Sequence, residues 1–259
     1  MTAREALSEA ERRLTAAGVD TPRVDAELLV AHSLGVSRTG VYADLEAEVD
    51  GLEPLLARRE RREPLAYVLG EWGFRRLTLK TDARALVPRP ETETVVERAL
   101  ALLAGSAAPR VLDVGVGSGA IALALKDERP DALVTGVDVS VDALALAREN
   151  ARRLGLEVEL REGDVETAAA GWDLVVSNPP YVESLAGLQP ELAHEPLEAL
   201  VGSGFHEQLA RVARTRFLVL EVGDGQAVDI AAALQAAGYR DVRATRDLAG
   251  RERVVEGAR

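Results

Sequence analysis

The chain reads as a small bundle of helices, a linking β-hairpin, and a doubly wound α/β domain that fills the rest of its 259 residues. Three observations predict this. Apolar residues recur at helical spacing as far as about Glu63. Beyond Pro90, short apolar runs alternate with amphipathic helical stretches, as a parallel sheet covered on both faces requires. Between these regions lie two β-prone runs separated by a turn-like tetrapeptide.

In the first region Leu7 and Leu14, then Leu28, Leu29 and Leu34, then Leu52, Leu55 and Leu56 mark about four helices. Asp20-Thr21-Pro22 breaks the first from the second and places Pro in a first turn, while Gly35, Gly40 and Gly51 punctuate the later ones. Arg58, Arg59, Arg61 and Arg62 alternate with Glu60 and Glu63, which is expected of a solvated helix face with local ion pairs. The hairpin is expected from Trp72–Lys80 and Ala85–Pro88 about a turn at Thr81-Asp82-Ala83-Arg84. Residues 1–70 are thus expected to form the helical domain, 71–90 the linker and 91–259 the α/β domain.

Within the α/β domain the pattern predicts helices over Glu91–Leu103, from Ala120, over Val141–Leu154, near His206–Arg214 and over Gln226–Ala237. Strands are expected at Val111–Val116, Leu133–Val139, Val158–Leu160, Asp173–Asn178 and Phe217–Val222, with closing runs at Asp241–Leu248 and Arg251–Gly257. A loop rich in Pro and Glu follows Tyr181.

Composition removes several function classes. No run approaches eighteen apolar residues and the N-terminus is charged, so a soluble, cytoplasmic protein away from membranes is expected. The absence of cysteine excludes disulfides, thiolate zinc sites and cysteine nucleophiles, and His32, His194 and His206 lie far apart, so no metal centre is expected. A net charge of −12 opposes broad binding to phosphate backbones, and no direct nucleic-acid partner is expected.

The run Val111-Leu112-Asp113-Val114-Gly115-Val116-Gly117-Ser118-Gly119 ends a buried strand and opens a helix. Glycines there allow a tight turn and let a ligand lie against the backbone, with free N–H groups of the helix start facing it. Asp138, nineteen residues after Gly119 at the end of the next strand, can accept from both hydroxyls of a ribose. Together these imply an adenosine-containing cofactor. The G-x-G-x-G spacing after an acid resembles the first motif of the class I S-adenosylmethionine methyltransferases, a Rossmann-like fold. The resemblance implies that Asp113 orders the loop, that Gly115, Val116, Gly117, Ser118 and Gly119 line the cofactor, and that Asp138 holds its ribose. It also implies that Asp164 and Val165 lie beside its adenine.

A predicted strand runs directly into Asn178-Pro179-Pro180-Tyr181. Two prolines fix φ and remove two backbone donors, and Asn178 is forced towards an extended conformation, leaving a rigid tetrapeptide with unpaired carbonyls. An amide nitrogen is a poor nucleophile because its lone pair is delocalised, so it must be aimed. If the Asn178 oxygen and the Pro179 carbonyl each accept one N–H of a target NH₂, the lone pair points along the attack line, an orientation worth part of roughly 7–11 kcal/mol. The Tyr181 ring would cover the planar amide. Asn178, Pro179, Pro180 and Tyr181 are therefore the expected catalytic and substrate-binding residues, with Asn178 also touching the cofactor.

Such a tetrapeptide serves enzymes acting on adenine amines as well as glutamine amides. Arg62-Glu63-Pro64-Leu65-Ala66-Tyr67-Val68-Leu69-Gly70, Leu86-Val87-Pro88-Arg89-Pro90-Glu91-Thr92-Glu93 and Glu195-Pro196-Leu197-Glu198-Ala199-Leu200 resemble the HemK/PrmC family, the release-factor glutamine N5-methyltransferases. The likeness runs from about residue 60 to the end. It implies methyl transfer from S-adenosyl-L-methionine to the Gly-Gly-Gln glutamine of class I peptide chain release factors, with Arg89 and Glu91 at the site mouth; a monomer is expected. A ribosomal-protein glutamine, an adenine N6 position, or a cofactor-binding module without catalysis are the alternatives. Departures from the family pattern are Val116 for Thr, Val222 for His, Val165 where an aromatic can stand, and a shortened stretch at Val201–Phe205.

Overall fold

The computed structural model describes residues 1–182, 184 and 187–259; Glu183, Leu185 and Ala186, in the loop expected after Tyr181, lie outside the described residues. The chain forms two compact units, one of residues 1–71 with 188–194, the other of residues 72–187 with 195–259. The second excursion, Leu188–His194, has no counterpart in the apolar pattern.

The first unit contains α1 (Ala3–Ala16), α2 (Pro22–Leu34), α3 (Leu52–Glu60) and α4 (Leu65–Leu69), with 3₁₀ turns at Gly40–Ala43 and Pro190–His194. A capping box starts α1: Thr2 Oγ1 accepts from Glu5 N and Glu5 Oε2 accepts from Thr2 N. Pro22 opens α2 and Gly35, at φ 66°, closes it. Leu7, Leu14, Leu29, Val30, Leu52 and Leu56 form its core.

The arginine run is a solvated face with local ion pairs only in part: Arg61 is exposed and Arg58 pairs with Glu63, but Arg59 and Arg62 are engaged by remote acids. Arg59 is only 6% exposed. Its Nε donates to Asp25 Oδ2 at 2.7 Å and its Nη1 to Glu191 Oε1 at 2.8 Å. Arg62 closes on both oxygens of the same Glu191, at 2.7 and 2.8 Å. For the rest the expectation failed because Arg59 faces inward from α3, and the acids that make this tolerable, Asp25 and Glu191, are remote in sequence.

The second unit opens with β1 (Glu71–Phe74) and β2 (Leu77–Lys80), a two-stranded sheet. The hairpin therefore turns at Arg75-Arg76, not at Thr81–Arg84, and Ala85–Pro88 is not a strand. Arg75 takes φ 51° without being glycine. It is held by acids from elsewhere in the unit: its N–H donates to Glu93 Oε1 at 2.8 Å and its guanidinium grips Glu128.

A seven-stranded sheet follows, ordered β5-β4-β3-β6-β7-β9-β8. Its strands are β3 (Arg110–Val114), β4 (Leu133–Asp138), β5 (Glu159–Glu162), β6 (Trp172–Ser177), β7 (Thr215–Glu221), β8 (Arg240–Arg246) and β9 (Glu252–Ala258). β3 to β7 run parallel, while β9 inserts antiparallel between β7 and β8. Alternate residues serve opposite faces. Val111, Leu174, Val176, Phe217, Val219 and Val254 join α5 (Thr92–Leu103), α6 (Ala120–Glu128) and α7 (Val141–Leu154) on one side. Leu112, Val175, Leu218, Leu220 and Val255 join α9 (Phe205–Val212) and α10 (Ala227–Ala236) on the other. A short α8 (Leu197–Leu200) precedes α9. The chain winds outward from β3 through β4 to β5 and then restarts at β6, so the order reverses beside β3, where the strand ends open a crevice for ligands. Among the described residues no helix is long and apolar enough to cross a membrane.

Candidate active site

The crevice at the ends of β3, β4 and β6 is a cavity within the second unit. Its walls come from residues 84–89, from Val114 to Ser118, from Asp138-Val139-Ser140, from Gly163-Asp164, and from Asn178 and Pro180. Thr92, Ala120, Ile121, Ala143, Pro196, Glu198, Ala199 and Phe205 complete it.

The glycine loop is pinned from beneath. Gly115 and Val116 both donate to the Val137 carbonyl at 2.9 Å, and Gly119 N–H donates to Val116 O at 2.8 Å. Gly115 and Gly117 take φ of 76° and 54°, and a Cβ at either would stand in open space. Their bare backbone is therefore available to a ligand. Asp138 uses both carboxylate oxygens locally, Oδ2 accepting from Gly117 N and Oδ1 from Ser140 N, each at 2.9 Å. Each oxygen keeps a lone pair for a further donor.

Asp113 lies under the loop, fully buried, with Oδ2 accepting from Ala122 N at 3.0 Å and Oδ1 unpartnered. Burial pushes its pKa up to about 7; the Ala122 N–H pulls the other way and the neighbouring Asp138 adds to the rise. Asp164 accepts from Glu166 N at 3.0 Å and caps a 3₁₀ turn at the cavity edge. Val165 does not line the cavity. It is buried in the sheet core, because that turn directs it inward behind Asp164.

In the tetrapeptide Asn178 and Pro180 wall the cavity, whereas Pro179 is buried and Tyr181 stands behind. Asn178 Nδ2 donates to Thr92 Oγ1 at 3.3 Å, at the start of α5. Tyr181 Oη donates to Glu221 Oε1 at 3.2 Å, at the end of β7. Burial, then the negative Glu221, raises the Tyr181 pKa well above the usual phenol value. Gln226 fastens the same segment, accepting from Gly223 N at 2.9 Å and donating to Tyr181 O at 3.2 Å. Gly202 packs against Pro180 so closely that a Cβ there would sit 3.0 Å from its ring.

Several residues to which the sequence assigned no structural role hold this frame. Glu195 is buried; it accepts from Val87 N at 2.9 Å and pairs with Arg89, tying two walls of the cavity together. Arg89 thus lines the cavity as one member of a pair, and Glu91 is not among its walls. Asn150 on α7 donates to Ser118 O at 2.9 Å and accepts from Lys80 N at 2.7 Å, linking the glycine loop to β2. Glu195 and Arg89 stand in the segments that carry the family resemblance, but nothing in the sequence marked Asn150.

Comparison with known proteins agrees with this geometry. A PrmC N-terminal domain matches residues 5–70 and a methyltransferase small domain matches residues 96–206. The release factor glutamine methyltransferase of Deinococcus radiodurans is 44% identical, covering 100% of this chain and 99% of its own. That of Caulobacter vibrioides is 39% identical over 100% and 97%, and that of Escherichia coli 38% identical over 97% and 96%. Among solved structures, the N-terminal domain of human METTL16 in complex with SAH matches with a TM-score of 0.51 at 13% identity, over 70% of this chain and 75% of that one. A methyltransferase from Pyrococcus furiosus matches with a TM-score of 0.50 at 18% identity, over 70% and 87%. These two show the fold. With the bundle, the glycine loop and the tetrapeptide in one continuous match to curated relatives, the chain belongs to the release factor glutamine methyltransferase family.

Proposed function

We propose that this protein methylates the N5 side-chain amide nitrogen of the Gly-Gly-Gln glutamine in class I peptide chain release factors. The observation that carries the reading is the placement of Asn178 and Pro180 in the wall of the cavity that also holds the glycine loop and Asp138.

The residues fit S-adenosylmethionine. Side-chain-free backbone at Gly115 and Gly117 leaves room for its sugar and amino-acid parts, the Asp138 carboxylate suits a ribose diol, and Asp164 suits the adenine edge. Val116 and Ser118 add the remaining loop contacts and Gly119 the turn into α6. When bound, the cofactor supplies a methyl group on a sulfonium centre. Asp113 acts from below, holding Ala122 N–H and hence the first turn of α6.

Asn178 gives one N–H to Thr92, which leaves its Oδ1 as the acceptor for a substrate N–H. The Pro179 carbonyl is the second acceptor, on backbone that cannot swing because both prolines fix φ. Two acceptors on one NH₂ aim its lone pair without a general base, and the proton leaves to water after transfer. Tyr181 braces the tetrapeptide through Glu221 and Gln226 in place of the ring cover expected for it.

Single-turnover transfer to a glutamine-bearing release factor tests this. Asn178→Ala should lower the rate by about 100-fold or more, roughly 3 kcal/mol, with cofactor affinity far less changed. Equal rates in parent and variant would refute amide orientation by Asn178, and no transfer by the parent would leave the non-catalytic module as the better reading. Supplying nucleic acid and release factor together separates the glutamine reading from the adenine one.

We assign residues 1–70 to recognition of the protein substrate, since the catalytic frame lies wholly in the second unit. Photo-crosslinks from a bound release factor should fall there, and crosslinks confined to residues 72–187 and 195–259 would remove the role. A cytoplasmic monomer without nucleic-acid contacts completes the proposal, in keeping with the acidic charge of −12.

A further inference from the structure

The tetrapeptide is a short bridge whose two ends are held by different means. At the near end it continues β6, where Ser177 Oγ donates to Val114 O on β3 at 2.7 Å. At the far end the peptide between Tyr181 and Val182 is gripped on both edges. Val182 N–H donates to Leu200 O at 3.0 Å, and Tyr181 O accepts from Gln226 Nε2 at 3.2 Å. Gln226 stands just before α10, and its Oε1 accepts from Gly223 N at 2.9 Å. Position 223 must be bare for this, since a Cβ there would lie 2.9 Å from Gln226 Oε1 and 3.0 Å from Tyr181 Cδ2.

We propose that Gln226 is a positioning residue for methyl transfer: its amide ties Tyr181 O to Gly223 N and so fixes the far end of the bridge that carries the Pro179 carbonyl. The two prolines keep the bridge from bending internally. Its direction into the cavity is decided where it is anchored, because a stiff segment held at one end can still turn about that end. The anchor at position 226 demands a donor and an acceptor on one group, since a carbonyl must be met by an N–H and an N–H by an oxygen. A glutamine amide supplies both. A carboxylate of the same length only accepts, and a methionine thioether gives no donor and a weak acceptor.

The inference rests on the catalytic reading of the tetrapeptide. Gln226 is not among the cavity walls, so it acts through Tyr181 and not by touching either ligand. A misplacement of about 1 Å can cost about 100-fold in rate, so a lost anchor should show in transfer. Cofactor binding should be spared, because the glycine loop and Asp138 hang on β3 and β4. The ionisable groups around the anchor are Tyr181 and Glu221, His206 with Nε2 2.7 Å from Glu221 O, Arg253 with Nη1 3.5 Å from Val222 O, and exposed Asp224. Parent and variants share them all, so the ratio of variant to parent rate isolates the group at position 226.

The test is single-turnover methyl transfer to the release factor from pH 5 to 8.5, with S-adenosylmethionine affinity measured in parallel. Gln226→Glu keeps the shape and the bond from Gly223 N but sets a carboxylate against Tyr181 O. At pH 8.5 it should transfer at least tenfold more slowly than the parent, with cofactor affinity within twofold. Half-buried and facing a carbonyl, the new carboxyl should titrate above the usual carboxylate range, and its protonated form again donates to Tyr181 O. The ratio of variant to parent rate should therefore climb at least fivefold between pH 8.5 and pH 5. Gln226→Met should be slowed at least tenfold with no such climb. A Gln226→Glu ratio that stays flat with pH would make packing the cause and overturn the proposal, as would parent rates in either variant. Should Gln226→Glu not fold, Gln226→Met carries the test: a tenfold slower transfer with cofactor affinity within twofold supports the anchor, and parent rates refute it. Asn178→Ala serves as the control. If it is slow while the Gln226 variants match the parent, the anchor fails and the catalytic reading stands; if it too matches the parent, both fall.

Discussion

Replacing Gly136 by alanine tests how tightly the glycine loop is seated. Gly136 lies in the middle of β4, between Asp113 on β3 and Leu160 on β5. A Cβ there would come within 2.6 Å of Val116 Cγ2 and 2.9 Å of Leu160 Cδ2. Ordinary contact begins near 3.4 Å, so Val116 would have to retreat by about 1 Å in a packed interior. It has little freedom to do so, since its N–H is bonded to Val137 O and its carbonyl receives Gly119 N–H at 2.8 Å. Overpacking of this kind costs about 1–3 kcal/mol. For a protein of this size, roughly 2 kcal/mol lowers the melting temperature by roughly 4–8 °C. Because the displaced residue lines the cavity, S-adenosylmethionine affinity should fall about tenfold or more. Calorimetry and thermal melting on Gly136→Ala, Val116→Ala and the double variant complete a cycle. The double variant should recover most of the affinity, since removing the Val116 methyls frees the space. The reasoning fails if Gly136→Ala melts and binds like the parent, or if Val116→Ala brings no recovery in its presence.

Other perturbations follow from the same frame. Asp138→Ala should weaken S-adenosylmethionine by two ribose bonds of roughly 1.5–3 kcal/mol each and also free Gly117 N–H and Ser140 N–H, so calorimetry giving parent affinity would remove the ribose assignment. Asp113 and Glu221, both raised to about 7, hold protons in the folded state that the unfolded chain has released, so their stabilising contribution is full below about pH 4 and is lost as pH rises through 7. Between pH 5.5 and 8 this amounts to about 2 kcal/mol per group, opposed in part by buried His206, which resists protonation at the lower pH. Asp113→Asn should therefore lose fewer degrees of melting temperature than the parent across that interval, and equal losses would contradict the burial of an ionisable Asp113. Arg59→Ala leaves Asp25 and Glu191 facing each other without their shared cation and should cost about 3–5 kcal/mol; a loss below about 1 kcal/mol in denaturant titration would show that the pair is solvent-screened.

What could be read from the sequence was whatever is repeated or rigid. The β3 strand and its glycines, the acid ending β4 and the two prolines each carry a local constraint that survives out of context. The hairpin turn was missed because Phe74-Arg75-Arg76-Leu77 contains no Gly, Asn or Asp, and the strained Arg75 is held by Glu93 and Glu128. The partners of Thr92, Asn150, Glu195 and Glu221 were missed for a related reason. Each is a single polar residue whose meaning lies in a partner 30 or more positions away, as with Asn150 and Ser118 at a separation of 32. Val165 was placed beside the adenine by its position after Asp164, but the 3₁₀ turn sends adjacent side chains in different directions.

The return of Leu188–His194 to the helical unit has a consequence for how the protein is made. Glu191, which both Arg59 and Arg62 grip, lies 129 residues beyond Arg62. At a synthesis rate of about 5–20 residues per second, roughly 6–26 s pass between their appearance from the ribosome. During that interval the N-terminal helices exist as a nascent unit in which Arg59 has Asp25 but neither arginine has Glu191. Their final consolidation must wait until three-quarters of the polypeptide has been translated, so the first part of the chain to emerge is not the first to be finished.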